Sequence, residues 1–294
     1  MGANKKPLFS IIIPTYNHAH LIHKCLTSLI EQSQSDWEAI VINNYSLDDT
    51  LSVIENIGDQ RIKVINFHNN GIIAASRNQG ILKSRGEWLC FLDSDDFWYP
   101  EKLDKVSQYL DNNDLIYHDL DMFNKNGFIK GKKCKGRKLT KPLYSDLLMH
   151  GNPIATSSVV VRRKIIEQVS GFIEEKKLIA VEDYDLWLRV SKVTERFCYI
   201  PESLGAYWSG GGNITEVSVR QIKRKRAVLF KHLKNIDKKL KHHVIRSLFY
   251  ERGRIYHKIG NLKRAKKCYL YSLGNRSLKI NLKALLFSLR LFSS

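Results

Sequence analysis

At 294 residues, with 43% hydrophobic and 26% charged residues, the chain can bury a full core as one large domain or as a domain with a smaller appendage. No apolar run approaches the roughly 18 residues of a membrane span, and the first apolar run ends at Pro14 without signal-peptide character, so the expectation is a cytoplasmic protein with no spanning helix. The net charge of +19 is unevenly placed: residues 216–294 hold 22 Lys and Arg against three acids, while residues 1–215 hold 26 of each sign.

The first hundred residues alternate strand and helix patterns. Residues 8–13 form an apolar run of strand length, expected to stop at Pro14, and apolar residues recur at helical spacing over 21–30. Further strands are expected at 38–42, 62–67 and 88–92, with a helix at 72–82. Short apolar strands alternating with helices imply an α/β fold, a mostly parallel sheet with helices on both faces. Ligands of such sheets bind beyond the carboxyl ends of the strands, which selects the polar clusters 14–18, 43–49 and 93–98. Beyond Asp114 a strand is expected at 115–123 and an exposed hairpin or loop at 125–141. A β-rich run at 157–161, an amphipathic helix at 181–193 and edge strands at 198–200 and 204–208 follow. From Thr215 onward every pattern is helical. The division read from charge is therefore 1–214 and an all-helical basic appendage, 215–294. The five cysteines are scattered without CxxC pairing and read as reduced thiols, and the sequons at Asn44 and Asn213 read as chance.

Asp93, Asp95 and Asp96 lie within four residues directly after a buried strand. Carboxylates this close raise one another's pKa, and an oxygen-preferring Mg²⁺ or Mn²⁺ relieves that cost while bridging to phosphates. A helix N-cap could occupy Asp96 but not all three acids. Glu182 and Asp183 open the 181–193 helix, where the dipole favours acids for structural reasons alone. Arg77 is the evident cation for a diphosphate, and Gly80, one helical turn on, permits tight packing.

Taken together, the strand ending Pro14-Thr15-Tyr16-Asn17, the polar cluster after strand two, Arg77-Asn78-Gln79-Gly80, Asp93-Ser94-Asp95-Asp96 and Glu182-Asp183 resemble the family 2 glycosyltransferases of GT-A fold. The resemblance spans roughly residues 8–213 and implies an inverting enzyme that moves a sugar from a nucleotide-sugar, expected to be a UDP-sugar, to a glycan or lipid-linked acceptor. It also implies roles residue by residue. Pro14, Tyr16, Asn17 and Asn44 belong to the nucleotide pocket, Arg77 contacts the nucleotide, Asp93 and Ser94 lie near the ribose, and Asp95 ligates the metal. Asp183 is the general base, with Glu182, Asp96 and Trp187 in support. Two departures stand out: Asn43-Asn44 replaces the family's usual acids, and Trp208, in the stretch running to Asn213, replaces a diphosphate-binding cation.

In the tail, Phe249, Gly253, Tyr256, Gly260, Ala265 and Tyr269 have the spacing of one tetratricopeptide-like hairpin. Residues 281–292 carry apolar residues at helical spacing beside Lys283 and Arg290, which suits an interfacial helix. The tail's expected partner is an anionic membrane surface and not nucleic acid, because its aromatics fit helix packing. A nucleic-acid-binding protein would leave the acidic clusters without a role. A sugar nucleotidyltransferase would need a Gly- and Arg-rich loop after strand one, and a dinucleotide oxidoreductase a GxGxxG; neither is present.

Overall fold

The computed structural model describes residues 6–211, 219–275 and 278–290. Asn213, the expected 214/215 boundary, Leu291 and Phe292 lie outside the described residues. The described chain divides into two compact units. One comprises Met1–Thr140, Asn152–Lys176 and Glu182–Gly211; the other comprises Lys141–Gly151, Lys177–Val181 and Gly212–Ser294. The division is thus not a single cut in the chain.

The first unit opens with β1 (Phe9–Thr15), α1 (Ala19–Ile30), β2 (Trp37–Asn43), α2 (Thr50–Glu55), β3 (Ile62–Asn66), α3 (Ile73–Lys83) and β4 (Trp88–Phe91). These four strands pair in parallel in the order β3-β2-β1-β4. β1 and β2 are buried at every residue because helices cover both faces. Phe9, Ile11 and Ile13 share a core with Ile22, Cys25, Leu26 and Leu29 of α1. On the opposite face Ile12 meets Gly80 of α3 so closely that an added Cβ would collide with it.

β1 runs past the end expected at Pro14, which lies buried in the strand opposite Ile42. Its missing N–H costs nothing there. The Ile12 carbonyl faces β4 and accepts from Leu92, so Pro14, two residues on, faces the side where the β1–β4 ladder has already ended.

The unit continues with β5 (Phe97–Trp98), α4 (Lys102–Ser107), β6 (Leu115–Asn124) and β7 (Gly127–Cys134). In the second unit α5 (Leu143–His150) follows, and the chain then returns to the first with a 3-10 turn at Thr156–Ser158, β8 (Val160–Arg162), α6 (Arg163–Gln168), α7 (Glu182–Val193) and β9 (Phe197–Trp208). The described sheet has nine strands in the order β3-β2-β1-β4-β8-β6-β9-β5, with β7 on β6. Its first half is parallel and its second half mixed, since β8 runs antiparallel to both β4 and β6. The two edge strands expected at 198–200 and 204–208 are one strand, β9, lying between β6 and β5. Its register jumps from Ile200 opposite His118 to Ser203 opposite Asp119, so Pro201 and Glu202 bulge out of the ladder.

The helical unit contains α5 with α8 (Val219–His232), α9 (Lys238–Lys258), α10 (Leu262–Ser272) and α11 (Leu278–Arg290). Asp237 and Asn261 cap α9 and α10 by accepting from the Leu240 and Arg264 N–H groups at 2.9 and 3.1 Å. Gly260 turns the chain between them at φ +78°, and Gly253 leaves the space that the Tyr269 ring fills. Tyr250, Tyr256, Ala265, Cys268 and Tyr269 form the apolar centre of this unit. No helix of the described residues is long and apolar enough to cross a membrane.

Candidate active site

The carboxyl ends of β1, β2 and β3 lie level, because Thr15 is opposite Asn43 and Asn43 opposite Asn66. The loops that follow are tied together by short polar groups. Asn17, at φ +52°, donates its N–H to Ser46 Oγ at 3.0 Å and accepts from the Leu47 N–H at 2.7 Å. Asn43 is buried and spent on structure, donating to Asn66 Oδ1 at 2.7 Å and accepting from Ser46 Oγ at 2.6 Å. Asn44 Oδ1 accepts from the Asn69 N–H at 3.0 Å, which leaves one of its two lone pairs. Tyr16 is 48% exposed. Beside Asn44, Tyr45 stacks on His68, both exposed, with ring centroids 3.9 Å apart at 19°.

Phe91 of β4 is opposite Ile12, so Asp93 emerges two residues beyond the ladder. Carboxylate oxygens of Asp93, Asp95 and Asp96 all lie within 4.8 Å of one another. Ser94 is buried, and its hydroxyl is 2.7 Å from His18 Nδ1. Burial, then the charge of Asp93, pushes the Asp95 carboxyl up to about 7. Burial, then Asp95 and Asp93, pushes Asp96 well above the carboxylate range. Asp96 is not a helix cap: β5 follows it, α4 starts only at Lys102, and its Oδ1 accepts from the Trp208 N–H at 2.8 Å. Its Oδ2 is buried without a hydrogen-bond partner among the described residues. Three converging acids, one with an orphaned buried oxygen, fit a hard divalent cation.

Arg77 is 3% exposed and bridges two acids, donating to Asp93 at 2.7 Å and to Glu182 at 2.6 Å. Burial opposes its charge, but Asp93 and Glu182 outweigh it and raise its pKa. The guanidinium thereby links the end of β4 to the first turn of α7. Asp183 Oδ1 accepts from the Tyr184 N–H at 2.7 Å and Oδ2 from Asn152 Nδ2 at 2.9 Å. Burial, then the neighbouring Glu182, lifts the Asp183 carboxyl to about 6. Trp187 is fully buried, its ring centroid 6.4 Å from that of Phe91, and belongs to the core. Arg77 therefore joins the Asp93, Asp95 and Asp96 cluster at the end of β4 to the Glu182 and Asp183 pair, at the carboxyl ends of the strands where ligands of such sheets bind.

The sequence profile of glycosyl transferase family 2 matches residues 10–170. The chain belongs to glycosyl transferase family 2. Its relatives in this family include an Escherichia coli UDP-Glc:alpha-D-GlcNAc-diphosphoundecaprenol beta-1,3-glucosyltransferase, WfgD, 33% identical over 187 residues that cover 63% of this chain and 70% of the relative. Among solved structures, Staphylococcus aureus TarS 1–349 in complex with UDP-GlcNAc superposes with a TM-score of 0.66 at 18% identity, covering 97% of this chain and 89% of TarS. A Pyrobaculum calidifontis mannosyltransferase, PcManGT, in complex with GDP-Man and Mn²⁺, gives 0.64 at 16% identity, covering 99% of this chain and 81% of that one. The α/β architecture expected from the strand and helix patterns is the fold this chain shares with these two structures.

Several groups at this candidate site carry no signal in the sequence. Asn152 reaches Asp183 from 31 residues away, and the Ser157 hydroxyl accepts from the Asp93 N–H at 3.1 Å. Asn152 precedes and Ser157 opens the β-rich run at 157–161, and neither is near in sequence to the acid it meets. Tyr45 lies in the selected cluster 43–49, whereas His68, two residues beyond β3, lies outside every selected cluster.

Proposed function

We propose that this family 2 glycosyltransferase is a metal-assisted, inverting hexosyltransferase that moves a sugar from a UDP-sugar to a hydroxyl of a glycan or lipid-linked acceptor during cell-surface polysaccharide synthesis. The observation that carries the reading is the excess of carboxylates over cations at the strand ends. Asp95, supported by Asp93 and Asp96, holds Mg²⁺ or Mn²⁺, which when bound offsets charge on the departing diphosphate. Tyr16, Asn17 and Asn44 hold the base end of the nucleotide on the Pro14 strand, and Asp93 and Ser94 hold the ribose. Arg77 acts on the nucleotide through Asp93, whose orientation it fixes.

Asp183 takes the proton of the acceptor hydroxyl as its oxygen bonds to the anomeric carbon. The bond from that carbon to the diphosphate oxygen breaks in the same displacement, and the nucleoside diphosphate leaves with the electron pair. Donation from Asn152 and Tyr184 directs the Asp183 carboxylate, and a carboxyl lifted to about 6 is poised to accept a proton near neutral pH. UDP is favoured over GDP as the donor nucleotide by the names of WfgD and TarS.

Residues 1–214 are proposed as the catalytic region and 215–294 as a basic helical region that attaches to the acidic inner face of the cell membrane. The diphosphoundecaprenol acceptor in the name of WfgD supports a lipid-linked acceptor. The experiment is a panel of UDP- and GDP-sugars assayed for release of nucleoside diphosphate with Mn²⁺, with Mg²⁺ and with a chelator. A UDP-sugar turned over only with metal supports the reading; equal turnover with chelator removes the metal from it.

A further inference from the structure

α11 is apolar on two opposite sides. Ile280, Ala284 and Phe287 pack into the aromatic centre of the helical unit. On its other side Leu278, Leu282, Leu285, Leu286 and Leu289 are 83, 61, 45, 48 and 52% exposed. At 100° per residue these five leucines fall within an arc of about 100°, a continuous stripe along the helix. A helix apolar all round is normally enclosed, and a contiguous exposed leucine stripe marks a surface that is covered in use. Lys283 is exposed on the same helix, and the region around it carries 22 Lys and Arg against three acids.

Building on the membrane attachment proposed above, we propose that α11 is an interfacial helix whose leucine stripe sinks into the boundary between headgroups and acyl chains of an anionic bilayer. The surrounding lysines and arginines meet the lipid phosphates. Charge decides between possible occupants of the stripe. A second copy of the chain would bring an equally cationic unit against the first, and like charges oppose that contact. Nucleic acid would satisfy the cations but offers the leucines no apolar phase. An acidic lipid surface satisfies both.

The test is co-sedimentation of the full chain with phosphatidylcholine vesicles, with and without phosphatidylglycerol, at low and high salt. It compares the wild type, the pair Leu282→Asp/Leu286→Asp, and Leu82→Asp, which alters a 73% exposed leucine of α3 in the other unit. Retention on phosphatidylglycerol vesicles is expected to fall roughly tenfold or more in the α11 pair and to stay unchanged in Leu82→Asp. Circular dichroism monitors helicity; should the aspartates unwind α11, Leu282→Ser/Leu286→Ser is read in the same way. If the α11 pair binds like the wild type and salt releases both, attachment is purely electrostatic and the insertion of α11 is overturned while the attachment stands. A wild type that ignores the vesicles but is retained on duplex DNA, or that self-associates through the leucines, overturns both.

Discussion

Residues 1–215 hold 26 charges of each sign yet join a cluster of three aspartates to Glu182 through Arg77, whereas residues 216–294 carry 22 cations against three acids, many of them on exposed helix surfaces. In the first region the charge that joins the acids is buried and fixed: Arg77 is 3% exposed and held at both ends. In the second, an ion pair such as Lys225–Glu251, at 3.0 Å, is about one-third exposed on both sides. Buried pairs are little screened, while exposed cations act as a diffuse field that salt weakens. A neutral average can thus hide a concentrated buried charge, and a large net charge can be spread widely over a surface.

The largest effect expected from breaking this contrast is at Asp183. Asp183→Asn should keep donor affinity and lose about 10²–10⁴-fold in turnover, because an amide cannot take the proton of the acceptor. Burial and Glu182 hold the Asp183 carboxyl at about 6. The base works only when ionised, so wild-type turnover should fall as pH drops through about 6 and level off above it. That acid limb should be missing from the residual rate of the variant. Near-normal turnover in Asp183→Asn would move the role to another acid.

Next comes Arg77→Met, which strands Asp93 and Glu182 together. Leaving a buried charge pair without its partner costs about 3–5 kcal/mol, which chemical denaturation would read directly. A loss below about 1 kcal/mol, the level of a surface pair, would show that the bridge does not hold β4 to α7. Gly80→Ala should cost about 1–3 kcal/mol by forcing a methyl into Ile12. Unchanged stability would mean that the α3–β1 contact gives way freely.

The smallest effect is a difference in salt response. At 1 M salt the Debye length is about 3 Å, so vesicle retention should weaken to the share carried by the α11 leucines while nucleotide affinity changes little. Parallel loss of both would contradict the division of electrostatic labour between the two regions.

How much of this could be read from the residues follows from the same physics. β1, β2 and β4 are buried along their whole length, so each shows an apolar run, at 11–14, 39–42 and 88–91, although Ser10 and Glu38 are buried beside the first two. β7 is exposed at most positions and Lys-rich, so only its hairpin character was legible. α5 and α6, at eight and six residues, are too short to show a periodicity. The acids of the site were legible because they cluster in sequence after a buried strand or at a helix start. Their partners were not: Arg77 meets Asp93 across 16 residues and Glu182 across 105, and nothing local announces either pairing. Arg77 read as the cation for a diphosphate and is clamped between Asp93 and Glu182, and Trp187, read as a supporting residue, lies in the core.

The central claim is that Asp93, Asp95 and Asp96 gather a divalent cation with the nucleotide. Titrating Mn²⁺ into the protein in the presence of UDP, with free Mn²⁺ read by electron paramagnetic resonance, tests it most directly. Saturable, UDP-dependent uptake by the wild type that disappears in Asp95→Ala, with the fold retained by circular dichroism, is the predicted result. Wild-type uptake persisting in Asp95→Ala would contradict it.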